Sequence, residues 1–176
     1  ANKIHNNKRI CAVFFGDGAL DEGSFWETMN VSCLMSLPLL FVCEDNGFAV
    51  HSHKTLRQGY KSIDEIIAKF NCNIYSLDSG VSTDAESVFE ITQKAIASIF
   101  DNNRPSFVRI PYYRYLEHVG INEDFHRGYR NREEFTSWQE KDPLIVMKKK
   151  LTESEVKSIE NKINVQIDSS VELARE

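Results

Sequence analysis

The sequence lacks long apolar runs and lacks an excess of positive charge. No apolar stretch reaches the roughly 20 residues that a helix needs to cross a bilayer, and no secretory signal pattern is present. The 176 residues carry a formal net charge of −5, so there is no broad basic surface that could release counterions from nucleic acid. These absences predict a cytoplasmic protein with no membrane and no nucleic-acid partner.

Paired cysteine motifs are also missing. Four cysteines stand in or beside apolar segments without CxxC or Cys/His spacing, a pattern that predicts buried free thiols in a reducing compartment. They are Cys11, Cys33, Cys43 and Cys72. The first residue, Ala1, is not Met, and the chain opens on a strand with no helix before it. We therefore expect the N-terminal part of the domain to be missing.

Residues 10–50 are expected to form one strand–helix–strand unit. Ile10–Phe15 is a nearly continuous apolar run, typical of a parallel strand covered on both faces, and it stops at Gly16-Asp17-Gly18. A helix is predicted directly after these glycines, and a second strand, Leu39–Cys43, ends at a polar turn that holds Asn46. Right-handed crossovers bring the carboxyl ends of parallel strands to one edge of the sheet, so Asp17 and Asn46 should be neighbours.

The rest of the chain alternates strands and helices, which predicts an α/β fold with a doubly wound, mostly parallel sheet and C-terminal helices. We expect an α/β domain over residues 1–150 and a C-terminal helix over 151–176, whose apolar stripe packs on the domain or on a partner subunit. Capping boxes predict three of the helix starts, at Ser62, Thr83 and Thr152. The further predicted elements are a helix from Ser62 to about Phe70, a strand Asn73–Leu77, a helix from Thr83 to the turn at Asn102, a strand Ser106–Pro111, a helix from Asn131 and a helix from Thr152.

Asp17 and Asn46 offer oxygen ligands at the predicted sheet edge. A carboxylate and an amide carbonyl suit a hard divalent cation such as Mg²⁺, and the N-terminus of the helix after Gly18 favours phosphate. A GDG triplet alone is weak, because such glycines are common in turns, but a second polar turn one crossover later strengthens it. A calcium-binding hand loop is excluded, because its sixth and twelfth positions counted from Asp17 hold Glu22 and Thr28.

The string GDGALDEGSFWETMNVSCLMSLPLLFVCEDNGFAV resembles the thiamine diphosphate signature, and in particular the alpha subunit of the decarboxylating component of 2-oxo acid dehydrogenases. The similarity continues through residues 112–130, an aperiodic stretch rich in aromatic, His and Arg side chains that we expect to be a functional loop, to Asp142-Pro143. The matching residues are Gly23, Phe25, Glu27, Asn30, Leu37, Pro38, Glu44, Asn46, Gly47, Ala49, Tyr113, Arg114, Tyr115, His118 and 130–134.

This resemblance implies a thiamine diphosphate-binding fold that holds its cofactor through Mg²⁺. Asp17 and Asn46 would be side-chain ligands of the metal, and Phe48 would add its main-chain carbonyl, with the diphosphate completing the shell. Gly18 and Ala19 would offer main-chain amides to the diphosphate.

The resemblance also assigns a role to the loop. His118 matches the family's loop histidine, which contacts the cofactor and stabilises reaction intermediates. His126 and Arg127 lie in the same loop, where they would meet a substrate carboxylate or a lipoyl arm. Val119 replaces a serine that is phosphorylated in some relatives, so that inhibition is not expected here. Asp45 replaces a common asparagine and would either adjust metal affinity or cap the turn.

The implied activity is oxidative decarboxylation of a 2-oxo acid with acyl transfer to lipoamide. In this family the beta subunit supplies the glutamate that activates the cofactor, so the chain alone should be inactive. Its expected partners are a beta subunit, in a heterotetramer of two alpha and two beta subunits, and a lipoyl acyltransferase component. Two alternatives stay open: another thiamine diphosphate enzyme of the acetoin dehydrogenase or transketolase type, and a non-catalytic regulatory subunit.

Overall fold

A computed structural model describes residues 8–78 and 84–175. Its centre is a four-stranded parallel sheet, in the order Cys11–Gly16, Leu39–Asp45, Ser106–Pro111 and Asn73–Ser76. The strands are β1 (Cys11–Gly16), β2 (Leu39–Asp45), β5 (Asn73–Ser76) and β6 (Ser106–Pro111), and a separate antiparallel hairpin joins β3 (Phe48–Ala49) to β4 (Ser52–His53). All three strand pairings in the sheet are parallel.

Helices flank the sheet and follow it. They are α1 (Gly23–Leu34), α2 (Ile63–Ile67), α3 (Ala85–Asp101), α4 (Arg132–Gln139), α5 (Pro143–Lys148) and α6 (Glu153–Arg175). Ser62 caps α2 by accepting from the amide of Glu65, and Thr152 and Glu155 form a reciprocal capping box before α6. Asp84 caps α3, while Thr83 lies outside the described residues. Within the described ranges, no helix has the length and apolar character needed to cross a membrane.

Two apolar clusters cover the two faces of the sheet. Because side chains alternate along a strand, Phe41 and Cys43 of β2 join a cluster with α1 and α2, whereas Leu40 and Val42 join a cluster with α3. A strand buried on both faces must be apolar at every position, which explains the continuous run in β2. The layering confirms the predicted α/β fold with a doubly wound parallel sheet.

The structure corrects the prediction for β1. This strand has one neighbour in the described sheet and is mostly exposed, so the expectation that both its faces are covered is wrong here. Phe14 is 66% exposed. Cys11 is exposed for the same reason, whereas the other three cysteines are buried and free as predicted. An apolar run identifies a strand but does not specify how many neighbours cover it.

Two helix boundaries also differ from the predictions. The helix expected directly after Gly18 begins only at Gly23, because Asp17–Asp21 first forms a 3-10 turn and Glu22 is extended. Buried Leu20 anchors that turn in the core, and its carbonyl accepts from the indole of Trp26 at 2.9 Å. Helix α2 ends at Ile67 instead of about Phe70.

The apolar stripe of α6 is not covered by the rest of the described chain. Ile159, Ile163, Ile167 and Val171 are each about half exposed. The expectation that the stripe packs on the domain is therefore wrong, and packing on a partner subunit stays a prediction.

Candidate functional site

The carboxyl ends of β1 and β2 lie side by side. Gly16 pairs in register with Glu44, so the residues that follow the two strands meet at one edge of the sheet. Asp17 is only 1% exposed, and the main-chain amide of Asn46 is near enough to its carboxylate to offset a small part of the rise in pKa that burial causes. The predicted proximity of Asp17 and Asn46 is confirmed.

A single arginine balances part of the Asp17 charge. Arg57 forms an ion pair with Asp17 Oδ2 and a second one with the Asp21 carboxylate. The other carboxylate oxygen, Asp17 Oδ1, is buried and has no hydrogen-bond partner of normal geometry among the residues that the structure describes. Burial and the nearby charge of Asp45 raise the pKa of Asp17, and the pairing with Arg57 offsets only part of this. A cation near Oδ1 would stabilise the ionised form.

The turn after β2 is shaped by its own side chains. Asn46 Oδ1 accepts from the amide of Phe48 at 2.9 Å, and Asn46 Nδ2 donates to the hydroxyl of Tyr112 at 2.8 Å. Gly47 has a φ of +76°, a left-handed conformation that favours glycine. Asp45 Oδ1 accepts from the Gly47 amide at 3.0 Å. Asp45, which stands where asparagine was expected, therefore caps the turn.

Gly18 lets the β3–β4 hairpin approach the first turn. A Cβ built on Gly18 would lie 3.0 Å from the Cβ of Ala49, closer than side chains normally pack. Ala19 is within the same 3-10 turn, and its carbonyl accepts from the Glu22 amide at 3.2 Å. The glycine therefore permits close packing between the turn that carries Asp17 and the hairpin that follows Asn46.

Two cavities open beside these turns. The first, of about 450 Å³, is lined by Asp17 and by the loop after β4; the second, of about 410 Å³, is lined by Asn46 and Phe48. Asp45, Lys54 and Arg109 border both cavities. Together they form a polar recess of the size of a small ligand.

Further unpaired polar atoms line the first cavity. Gln58 Nε2 and the Tyr60 hydroxyl are buried and, like Asp17 Oδ1, have no hydrogen-bond partner in residues 8–78 and 84–175. Burial raises the pKa of Tyr60 to about 12, so its hydroxyl is a hydrogen-bond donor at neutral pH. Buried polar groups are normally paired, and a polar or ionic group in this cavity would satisfy all three atoms.

The loop that carries His118 is held by a buried ion pair. Arg130 Nε donates to Asp124 Oδ1 at 2.8 Å, and the Tyr129 hydroxyl donates to Asp124 Oδ2. Arg130 also donates to the main-chain carbonyls of Arg114, Tyr115 and Leu116. Neither the pairing of Asp124 nor that of Arg57 was predicted, because no local pattern marks either contact.

The three candidate residues of this loop are not brought to Asp17. His118, His126 and Arg127 are exposed, and none of them lines either cavity. His126 and Arg127 lie in a short 3-10 turn, Phe125–Arg127. Their predicted roles therefore depend on groups outside the described chain.

The donors at the edge suit Mg²⁺ better than a transition metal. Within residues 8–78 and 84–175, no three His, Cys, Asp or Glu side chains converge on a metal-binding position. The predicted set has one carboxylate, one amide oxygen and one main-chain carbonyl. Mg²⁺ is usually held in this way, by one or two carboxylates and the phosphates of a ligand. The orphaned Asp17 Oδ1 fits such a cation.

Comparison with known sequences identifies the family. The profile of the family described as "Dehydrogenase E1 component" matches residues 1–176. The chain belongs to the dehydrogenase E1 component family. This membership confirms the resemblance read from residues 10–50 and from the loop.

Individual members of the dehydrogenase E1 component family have low sequence identity to this chain. Pyruvate dehydrogenase E1 component subunit alpha of Rickettsia conorii is 25% identical, over 98% of this chain and 53% of the relative. The type I mitochondrial subunit alpha of Ascaris suum is 28% identical, over 99% of this chain and 44% of the relative. The chain thus spans about half the length of the curated relatives it matches.

Solved structures resemble the chain less closely. A transketolase mutant from Pichia stipitis has a TM-score of 0.48 at 21% identity, covering 58% of this chain and 14% of that one. A putative thiamin diphosphate-dependent enzyme from Mycobacterium smegmatis has a TM-score of 0.46 at 18% identity, covering 64% and 20%. Scores this low add nothing to the family assignment.

Proposed function

We propose that this chain is the part of a 2-oxo acid dehydrogenase alpha subunit that anchors thiamine diphosphate through Mg²⁺. The observation that carries the proposal is the buried Asp17 carboxylate, whose Oδ1 has no partner and which lies beside Asn46 at the carboxyl edge of the sheet. The names of the relatives, pyruvate dehydrogenase subunits alpha, support the substrate class.

Each candidate residue has a defined task in this proposal. Asp17 and Asn46 bind Mg²⁺ through side-chain oxygens, and Phe48 binds it through its main-chain carbonyl. Gly18 and Ala19 donate main-chain amides to the diphosphate. Residues 1–150 form the binding domain, and residues 151–176 form an appended C-terminal helix.

When bound, thiamine diphosphate supplies the chemistry for decarboxylating a 2-oxo acid and passing the acyl group to lipoamide. The residues of this chain bind the diphosphate end and orient it, which fixes the position of the reactive end. We assign no general base here and propose that a beta subunit supplies it, within a heterotetramer of two alpha and two beta subunits. His118 meets the cofactor in that assembly, and a lipoyl acyltransferase component accepts the acyl group. A cytoplasmic location stays a prediction.

The proposal is tested by calorimetric titration of the assembled full-length protein with Mg²⁺ and thiamine diphosphate. Asp17→Ala should weaken binding by more than about 100-fold, because loss of a direct ligand exceeds the 10–100-fold cost of losing an outer-shell partner. Asp168→Ala, at an exposed position of α6, is the control and should bind like the wild type. Unchanged binding by Asp17→Ala would refute the site.

A regulatory subunit that has lost cofactor binding makes the opposite prediction. In that case the wild-type assembly itself would give no heat of binding. An acetoin dehydrogenase or a transketolase-type enzyme would bind the cofactor equally well, and a screen of 2-oxo acids with a dye as electron acceptor separates these activities. The same screen would identify the substrate.

A further inference from the structure

Arg57 connects the two turns that carry the candidate ligands. Its Nη1 and Nη2 reach the carboxylates of Asp21 and Asp17, and Nη1 also donates to the main-chain carbonyl of Asp17 at 3.4 Å. Its Nε donates to the carbonyl of Ser52 in the β3–β4 hairpin at 3.3 Å. The side chain is only 12% exposed. We call this set of contacts the Arg57 bridge.

The bridge joins parts of the chain that have no covalent reason to stay together. Asp17 and Asp21 belong to the turn after β1, and Ser52 belongs to the hairpin whose first strand begins at Phe48. A guanidinium presents its donors in a rigid plane and can contact several acceptors at once, which an ammonium group cannot do. The pairing of β1 with β2 already places the two turns side by side, and the bridge adds a direct connection from the Asp17–Asp21 turn to the β3–β4 hairpin that follows Asn46.

The bridge leaves one oxygen of Asp17 available. Arg57 donates a hydrogen bond to Asp17 Oδ2, whereas Asp17 Oδ1 is buried and has no partner among the described residues. One arginine faces two carboxylates, Asp17 and Asp21, so the group keeps a net negative charge. Arg57 thus orients the Asp17 carboxylate and leaves enough negative charge on the group to attract a cation.

We propose that Arg57 is a positioning residue for the metal site, holding Asp17 with Oδ1 directed at the cation and locking the hairpin against the first turn. This inference rests on the proposed function, since it concerns the same Mg²⁺ site. It adds a residue to which the family signature assigns no role.

The test uses Mn²⁺ as the probe, with thiamine diphosphate and the assembled full-length protein, and follows binding by electron paramagnetic resonance. Arg57→Gln should weaken Mn²⁺ binding by about tenfold or more, the usual cost of losing an outer-shell partner, and should change the spectrum of the bound ion. Arg57→Lys keeps the charge but cannot span both carboxylates and Ser52, so it should recover only part of the affinity. Lys69→Gln removes the same charge from an exposed position and should have no effect.

Hydrogen–deuterium exchange without metal gives a second readout. Arg57→Gln should accelerate exchange at the amides of residues 17–21 and 48–53, because the bridge no longer joins these segments.

Several results would overturn the inference. Tighter Mn²⁺ binding by Arg57→Gln would show that Arg57 competes with the metal as a counterion, and full rescue by Arg57→Lys would show that charge alone matters. Unchanged affinity or unchanged exchange would show that the bridge positions nothing. Asp17→Ala, measured in parallel, separates the two levels: wild-type binding by that variant refutes the proposed function together with this inference, whereas its loss with normal Arg57→Gln binding refutes this inference alone.

Discussion

Asp17 and Asp124 are both buried aspartates paired with an arginine, yet their surroundings differ. Both oxygens of Asp124 have partners, Arg130 on Oδ1 and Tyr129 on Oδ2. Asp17 has Arg57 on one oxygen and, within the described part of the chain, no hydrogen-bond partner on the other. Burial raises the pKa of Asp124, but its hydrogen bonds outweigh this and the net pKa is below the ordinary value. The pKa of Asp17 is raised, because burial and Asp45 prevail there.

The difference is the one expected between a carboxylate with a structural role and the proposed binding site at Asp17. A buried carboxylate whose two oxygens both accept hydrogen bonds stabilises the elements that it joins. A buried carboxylate with one unpaired oxygen has lost hydration without compensation, and a bound ligand can offset that desolvation cost. Asp124 holds the loop over residues 112–131 in place through Arg130. Asp17 lines a polar cavity. Burial and an arginine partner are common to both aspartates. What differs is the number of carboxylate oxygens that have a hydrogen-bond partner.

The largest expected effect is on stability. Asp124→Ala should lower the free energy of unfolding by about 3–5 kcal/mol, because it leaves the buried Arg130 without its counterion. Asp17→Ala should cost much less, because Arg57 keeps Asp21 as a partner. Urea unfolding of the cofactor-free protein measures both values. Equal costs would show that the two aspartates play the same role.

A smaller effect is expected from the Tyr129 hydroxyl, which donates to Asp124 Oδ2 and accepts from Arg114 Nη2 at 2.6 Å. Tyr129→Phe should lower the free energy of unfolding by about 1.5–3 kcal/mol, the range for hydrogen bonds to charged groups. Tyr75→Phe is the matched control, because its hydroxyl contacts only the neutral Ser98 hydroxyl, at 2.6 Å, and should cost about 0.5–1.5 kcal/mol. A larger loss for Tyr75→Phe would contradict the assignment of Asp124 as the charged centre of the loop.

The smallest effect is a change in the slope of stability against pH. Since the native pKa of Asp124 lies below its unfolded value of about 3.9, its contribution is fully present above that value. The contribution is lost as the pH falls through the native pKa. Unfolding measured between pH 7 and pH 3 should therefore show a steeper acid decline in the wild type than in Asp124→Asn. Parallel curves would mean that Asp124 is not stabilised as an anion in the folded protein.

Much of the fold follows from local patterns. The apolar runs of β2 and β6, the capping residues Ser62 and Thr152, and the polar turns between them place most elements correctly, because strand and helix formation depends on spacing within a few residues. The proximity of Asp17 and Asn46 was predictable as well, since parallel strands deliver their carboxyl ends to one edge. The exposure of β1 was not, because an apolar run does not reveal its neighbours.

The contacts that give the site its character are long-range. Arg57 stands 40 residues from Asp17 in a polar loop with no helical or strand periodicity, and nothing local marks its partner. The Asp124–Arg130 pair is close in sequence, but it lies in a loop whose path is set by main-chain carbonyls that Arg130 binds. Pairings of this kind depend on how loops fold back over the sheet.

The α/β class, the position of the Gly16–Gly18 turn and the family could be recognised from the chain's residues alone, because periodicity and turn chemistry are properties of neighbouring residues. Which charges are balanced depends on the three-dimensional fold. Whether a buried carboxylate has a structural role or belongs to a binding site depends on the donors that reach each of its oxygens, and for Asp17 the guanidinium of Arg57 comes from a distant loop. Burying a carboxylate oxygen that has no hydrogen-bond partner costs free energy. We therefore expect a ligand at Asp17 and none at Asp124.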